Sequence, residues 1–165
     1  RAGRGWHQGG GAASAEGEGD ATREAVGSRS GRFLAVRFSP GEDLKGALLR
    51  FVAERGLRAA ALVTCVGSLT SAQLRLASAD RDHKDEVLRL EERLEITSLV
   101  GTLGAAGAGA AAGPWCHLHL AAADASGRLF GGHLMEGCCV NTTAEVVLLD
   151  LQGLVFGREF DDATG

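Results

Sequence analysis

Three histidines of this chain stand close enough in sequence to share one task. His117 and His119 are one residue apart in Trp115-Cys116-His117-Leu118-His119-Leu120, and His133 follows Gly131-Gly132. On a β-strand alternate side chains share a face, so both imidazoles point one way while Cys116, Leu118 and Leu120 point the other. Asp124-Ala125-Ser126-Gly127 has turn composition, which makes its flanks a hairpin and places His133 opposite the pair. The two glycines before His133 remove side chains where a backbone must come close. Three neutral imidazoles suit zinc at about 2.0–2.1 Å and leave a fourth position for water or a ligand, which is catalytic rather than closed structural geometry. The competing reading is a set of ordinary surface or core histidines. His7 and His83 have no such neighbour.

Two carboxylates come into question beside them. Glu145 is polar within the apolar stretch Thr143-Ala144-Glu145-Val146-Val147. It is the candidate to hold an imidazole N–H or to act as an assisting catalytic base, although simple solvent-facing alternation explains it too. Glu136 is out of phase with His133 and on a regular strand points away. No nucleophile elbow, phosphate loop or dinucleotide fingerprint occurs. Residues 104–113 are only Gly and Ala and lack the Lys-Ser/Thr that grips a nucleotide. They read as a mobile loop, because each glycine costs a helix about 1 kcal/mol against Ala.

The elements that must position these groups follow from pattern. The 165 residues suit one domain with an appendage. Hydrophobic residues make up 45% and aromatics 5%, with no Tyr, so the core must be mostly Leu, Val and Ala. A net charge of −4 and a pI near 5.7 exclude a whole-chain field that draws in nucleic acid. Arg50, Arg55 and Arg58 form the only loose basic cluster. Cys65, Cys116, Cys138 and Cys139 have no disulfide-framework spacing, and the three that fall in expected strands read as small buried hydrophobes. That points to an intracellular protein, cytoplasmic or nuclear. No apolar run reaches membrane-spanning length, and no secretory signal is visible.

Residues 1–31 are rich in Gly, Ala, Ser, Glu and Arg and read as a disordered tail. The domain then runs over 32–165. Residues 32–38 suit a strand, and Ser39-Pro40-Gly41-Glu42 has a capping-box pattern. Leu44, Leu48, Phe51 and Val52 recur at helical spacing up to a stop at Gly56. Residues 59–66 suit a strand buried on both faces, with a turn at Gly67-Ser68 into an alternating strand at 72–77. A charged loop spans 80–86. Residues 86–95 fit either a helix or short strands broken at Glu91-Glu92. Further strands are expected at 95–103, 115–123, 128–138, 143–151 and 155–160. The sum is an α+β fold: about eight strands in an antiparallel-rich sheet or half-barrel, covered by one main helix.

The order of these motifs resembles the plants-and-prokaryotes conserved domain (PPC domain). The resemblance is carried by Ser39-Pro-Gly-Glu-Asp-Leu44, Val66-Gly67-Ser68, Glu95-Ile-Thr-Ser98-Leu99-Val-Gly101-Thr102, His117-Leu-His119, Gly131-Gly132-His133-Leu and Thr143-Ala-Glu145-Val-Val. It implies an α+β fold with a large antiparallel sheet, a homotrimer, and, in prokaryotic-type members, zinc on the residues matching His117, His119 and His133. Plant members join the domain to AT-hook segments that bind DNA. This tail has no Arg-Gly-Arg-Pro core, so the chain is closer to the histidine-bearing type. Two functions follow as expectations. One is a trimeric zinc domain with a place for a small ligand, open to hydrolase or lyase chemistry. The alternative is a DNA-associated regulatory or assembly module without catalysis.

Overall fold

The computed structural model describes residues 6–8, 27, 30–77, 86–105 and 113–157. Its elements in chain order are β1 (Trp6–Gln8), β2 (Ser30–Phe38), α1 (Leu44–Glu54), β3 (Ala60–Leu69), β4 (Ala72–Arg75), β5 (Val87–Leu90), β6 (Leu94–Gly104), β7 (Trp115–Ala123), β8 (Leu129–Leu134), β9 (Val140–Gln152) and β10 (Leu154–Phe156). Eight strands pair antiparallel in the order β2-β9-β3-β6-β7-β8-β4-β5, and the sheet stays open. The fold is α+β, with one helix among the described residues, as expected. No described helix is long and apolar enough to cross a membrane.

The helix lies on one face of this sheet, and the core fills the space between them. Leu44, Leu48 and Val52 of α1 are fully buried with Leu69, Leu99, Leu103, Leu118, Leu120, Leu134 and Leu148 from the strands. Each such leucine contributes roughly 1.5–3 kcal/mol by leaving water. Phe38 is the only aromatic among the buried members of this cluster, in line with the composition. Among the cysteines, Cys65 and Cys138 are buried, and Cys116 and Cys139 are partly so.

Several local expectations are corrected. Glu42 Oε2 does accept the Ser39 N–H at 2.7 Å, the reach-back half of the proposed box. Gly41, however, turns the chain at φ +83°, and Asp43 takes the cap, its Oδ1 accepting the Gly46 N–H at 2.8 Å. Asp43 Oδ2 also accepts the Gly137 N–H at 2.7 Å, so one carboxylate ties the helix start to the chain beyond β8. The strand at 59–66 is not buried on both faces: Val63 and Val66 are about half exposed, because no element covers that side among the described residues. Gly67-Ser68 is no turn. Gly67 lies inside β3, where a Cβ would collide with the Thr143 carbonyl oxygen, and the chain reverses at Thr70-Ser71.

The ambiguous stretch at 86–95 resolves as strands β5 and β6, interrupted at 91–93. β8 ends at Leu134, earlier than expected, since the Met135 N–H goes to the Gln73 carbonyl and the Gly137 N–H to Asp43. Within the proposed tail, Trp6–Gln8 pairs with Leu154–Phe156 as a separate two-stranded sheet, and β2 begins at Ser30. The rest of the tail lies outside the described residues, apart from Gly27. So do positions 80–85 of the charged loop, 106–112 of the Gly/Ala loop and 158–160 of the last proposed strand.

Asp43→Ala should destabilise the domain by about 1–2 kcal/mol, since it removes a helix cap and leaves the Gly137 N–H without its acceptor. Urea unfolding of the two proteins measures this; an unchanged midpoint would remove Asp43 from that role.

Candidate metal centre

Along β7, Leu118, Leu120 and Ala122 are buried in the core, and His117 and His119 alternate onto the opposite face. β8 pairs with β7 so that His119 and His133 are direct Cα partners. Partners on antiparallel strands share a face, so all three rings meet on the side away from α1. His117 Nε2 and His119 Nε2 are 3.3 Å apart. The ring centroids are separated by 5.2, 5.4 and 5.6 Å, nearly an equilateral triangle. One nitrogen from each ring lies within 4.8 Å of the others. Two nitrogens on one tetrahedral ion, each at about 2.0–2.1 Å, stand about 3.3 Å apart, so the pair already has the spacing of zinc ligands.

His133 carries two further marks of such a site. Its Nδ1 is buried without a hydrogen-bond partner among the described residues. A buried, unpaired nitrogen costs free energy unless an acceptor or an ion meets it. Burial also pushes the imidazole down to a pKa of about 4, with Arg75, His117, His119 and Lys45 adding to the effect. His133 is therefore neutral at pH 7, the form that coordinates metal.

The hairpin that sets this register is held by Asp124. Its Oδ1 accepts from the Ser126 N–H at 2.8 Å, the Ser126 hydroxyl at 2.6 Å and the Arg128 N–H at 3.0 Å. Oδ2 accepts from Arg128 Nε at 2.7 Å. The Ser126 hydroxyl first, with the Arg128 guanidinium, holds the carboxyl well below the usual range. Gly132, but not Gly131, has the close approach expected of both: a Cβ there would stand 2.7 Å from the Arg75 carbonyl oxygen, whereas one at Gly131 would meet only ordinary contacts. On the other side, Gly101 of β6 pairs with Leu118, and a Cβ there would collide with the His117 carbonyl oxygen.

Other proposed groups lie elsewhere. Glu145 is exposed on β9, which β3 and β6 separate from β7, so within the chain it does not reach the histidines. Its strand neighbours are Arg37 and Val66, and solvent-facing alternation accounts for it. Glu136 is exposed and pairs with Lys45 at 3.7 Å. His83 lies outside the described residues. The basic cluster does not form one free patch: Arg50 pairs with Glu42 at 3.3 Å, and the Arg55 guanidinium lies 5.4 Å from the Phe51 ring centre. Sequence reasoning missed Arg75, the Cα partner of His133 on its far side. Its outward phase on the alternating 72–77 segment was a signal, but which strand it would adjoin was not.

The sequence pattern of the Plants and Prokaryotes Conserved (PCC) domain matches residues 26–152. The chain belongs to this family. Among curated proteins it is 46% identical over 134 residues to "Bifunctional protein GlmU" of Synechococcus sp. (strain JA-3-3Ab), covering 81% of this chain. The match spans 20% of that relative's length, so what the whole relative does does not transfer to this chain as a finding. Among solved structures, a hypothetical protein from Salmonella is 37% identical at TM-score 0.72, covering 85% of this chain and 91% of that one. A protein from Archaeoglobus fulgidus, described as metal-containing, is 28% identical at TM-score 0.74, covering 87% and 96%. This PCC chain thus has a three-histidine group able to hold a metal and a structural neighbour described as containing one.

Two outcomes follow from this geometry. His133 binds its proton near pH 6.5 when unfolded and near pH 4 when folded, so the metal-free chain should lose stability as pH falls through that window. Thermal melts across the window should show the loss levelling off below it, and His133→Asn should flatten this part of the profile. Gly101→Ala should destabilise by about 1–3 kcal/mol through backbone strain, more if β7 must shift, and weaken metal uptake with it. Calorimetric unfolding and metal titration of that variant check both effects.

Proposed function

We propose that this PCC domain is of the histidine-bearing prokaryotic type: a homotrimer whose chains each hold zinc on His117, His119 and His133. The observation that carries this reading is the 3.3 Å approach of two imidazole nitrogens with a third ring at equal range. The metal-containing Archaeoglobus neighbour supports it. Three protein ligands leave one position for water or a small ligand. Zinc bound there would lower the pKa of its water towards about 7 or polarise a carbonyl. The chain's own residues present the three imidazoles on a preformed sheet, so little ordering entropy is spent on binding.

Assembly is supported by the face that carries the histidines. Phe33, Val63, Val66, Val100 and Leu129 are all exposed, and by register and alternation they share that face. Exposed apolar residues on one side of a sheet favour an interaction site there. Covering it with further copies of the chain would also bury the surroundings of the metal. The relatives carry this domain as about a fifth of a longer protein, which supports an accessory role, binding a small ligand and holding chains together, beside other chemistry.

Purified protein should contain close to one zinc per chain, and His117→Ala or His133→Ala should lower zinc affinity at least tenfold. Sedimentation should give the mass of three chains. A wild-type chain that stays empty with excess zinc would overturn the metal reading, and a monomer would overturn the assembly.

A further inference from the structure

Among the described residues, the charged groups that act on His133 from outside the histidine group are cations, Arg75 and Lys45. Arg75 is the last residue of β4, where Ala72 and Leu74 face the core and Arg75 is exposed on the other side. Its Cα partners are Val87 on β5 and His133 on β8. The guanidinium stem therefore starts one strand spacing from a proposed metal ligand, on the same face. Among the described residues it makes no ion pair. The charged groups that act on His133 are Arg75, Lys45 and the other two histidines, and none is a carboxylate. Lys45 is already paired with Glu136 at 3.7 Å. Of these two cations, Arg75 is the one with no ion pair among the described residues.

Resting on the zinc reading above, we propose that Arg75 makes this centre a receptor for small oxyanions, a carboxylate or a phosphate group. Zinc on three neutral imidazoles would keep its full double positive charge, and among the described residues no carboxylate joins the three histidines to offset it. A guanidinium beside that charge is repelled unless an anion lies between them. Guanidinium is also the group whose planar donors match the paired oxygens of carboxylate and phosphate. Arg75 is a binding residue in this scheme and not a metal ligand, so its loss should leave the metal in place.

The test uses the full chain loaded with cobalt(II) in place of zinc, whose visible absorption changes when the ligand at the open position changes. Inorganic phosphate and acetate are titrated separately, with neutral imidazole as a third probe. At least one anion should shift the wild-type spectrum, and the tighter one identifies the oxyanion class. Arg75→Gln should weaken that anion at least tenfold, Arg75→Lys should recover part of the loss, and imidazole should bind all three proteins alike. Metal content is measured on the same samples. Full metal with a spectrum indifferent to both anions, or equal anion affinity in Arg75→Gln, overturns the oxyanion proposal and leaves the zinc reading standing. A chain that takes up no metal overturns the zinc reading and this proposal together.

Discussion

Pairing of β7 with β8 in one register, His119 opposite His133, is the constraint on which the rest of the site depends. Side chains on a strand alternate with a period of two, so a slip of one residue would turn His133 into the core and bring Leu134 out beside the imidazoles. Such a slip is opposed from several directions. Asp124 collects four donors and locks the turn. Leu134 is held at 1% exposure among the core leucines. Gly132 lets the β4 backbone come close, and Gly101 lets β6 press against the His117 peptide. Each of these contacts is local, yet all constrain the same three rings.

The sheet has two sides with different physics. One is covered by α1 and filled with aliphatic side chains, where burial provides most of the stability. The other bears the imidazoles among exposed apolar residues such as Val100, the Cα partner of His119. A ring in such surroundings loses hydration without gaining a protein acceptor. That explains both the depressed proton affinity of His133 and its unpaired nitrogen. A divalent ion would satisfy the nitrogen and favour the same neutral state.

Charge separates this centre from one built around an acidic base. Carboxylates do occur on the face of the sheet that bears the histidines, but Glu145 is held three strands from them and beside Arg37. Among the described residues, the charged side chains that act on His133 from outside the histidine group are Arg75 and Lys45. A domain so arranged is suited to gripping an anionic ligand more than to withdrawing a proton from one.

Local pattern was enough for much of this. His-x-His on an alternating apolar strand, turn residues at 124–127 and a third histidine beyond them determine a convergent site, because the two-residue period and the turn chemistry both act over short range. The helical spacing of Leu44, Leu48 and Val52 placed α1 for the same reason. Other features were settled only when distant strands met. Asp43 displaced Ser39 as the cap because its second oxygen found Gly137, 94 residues away. Gly67 read as a turn until its close approach to Thr143 on β9 showed why a side chain is excluded there. Glu145 and Arg75 exchanged importance through strand order alone: β3 and β6 came between one and the histidines, while β4 came to lie beside β8. Strand order depends on the free energy of the whole packed sheet, and no short stretch of sequence encodes it.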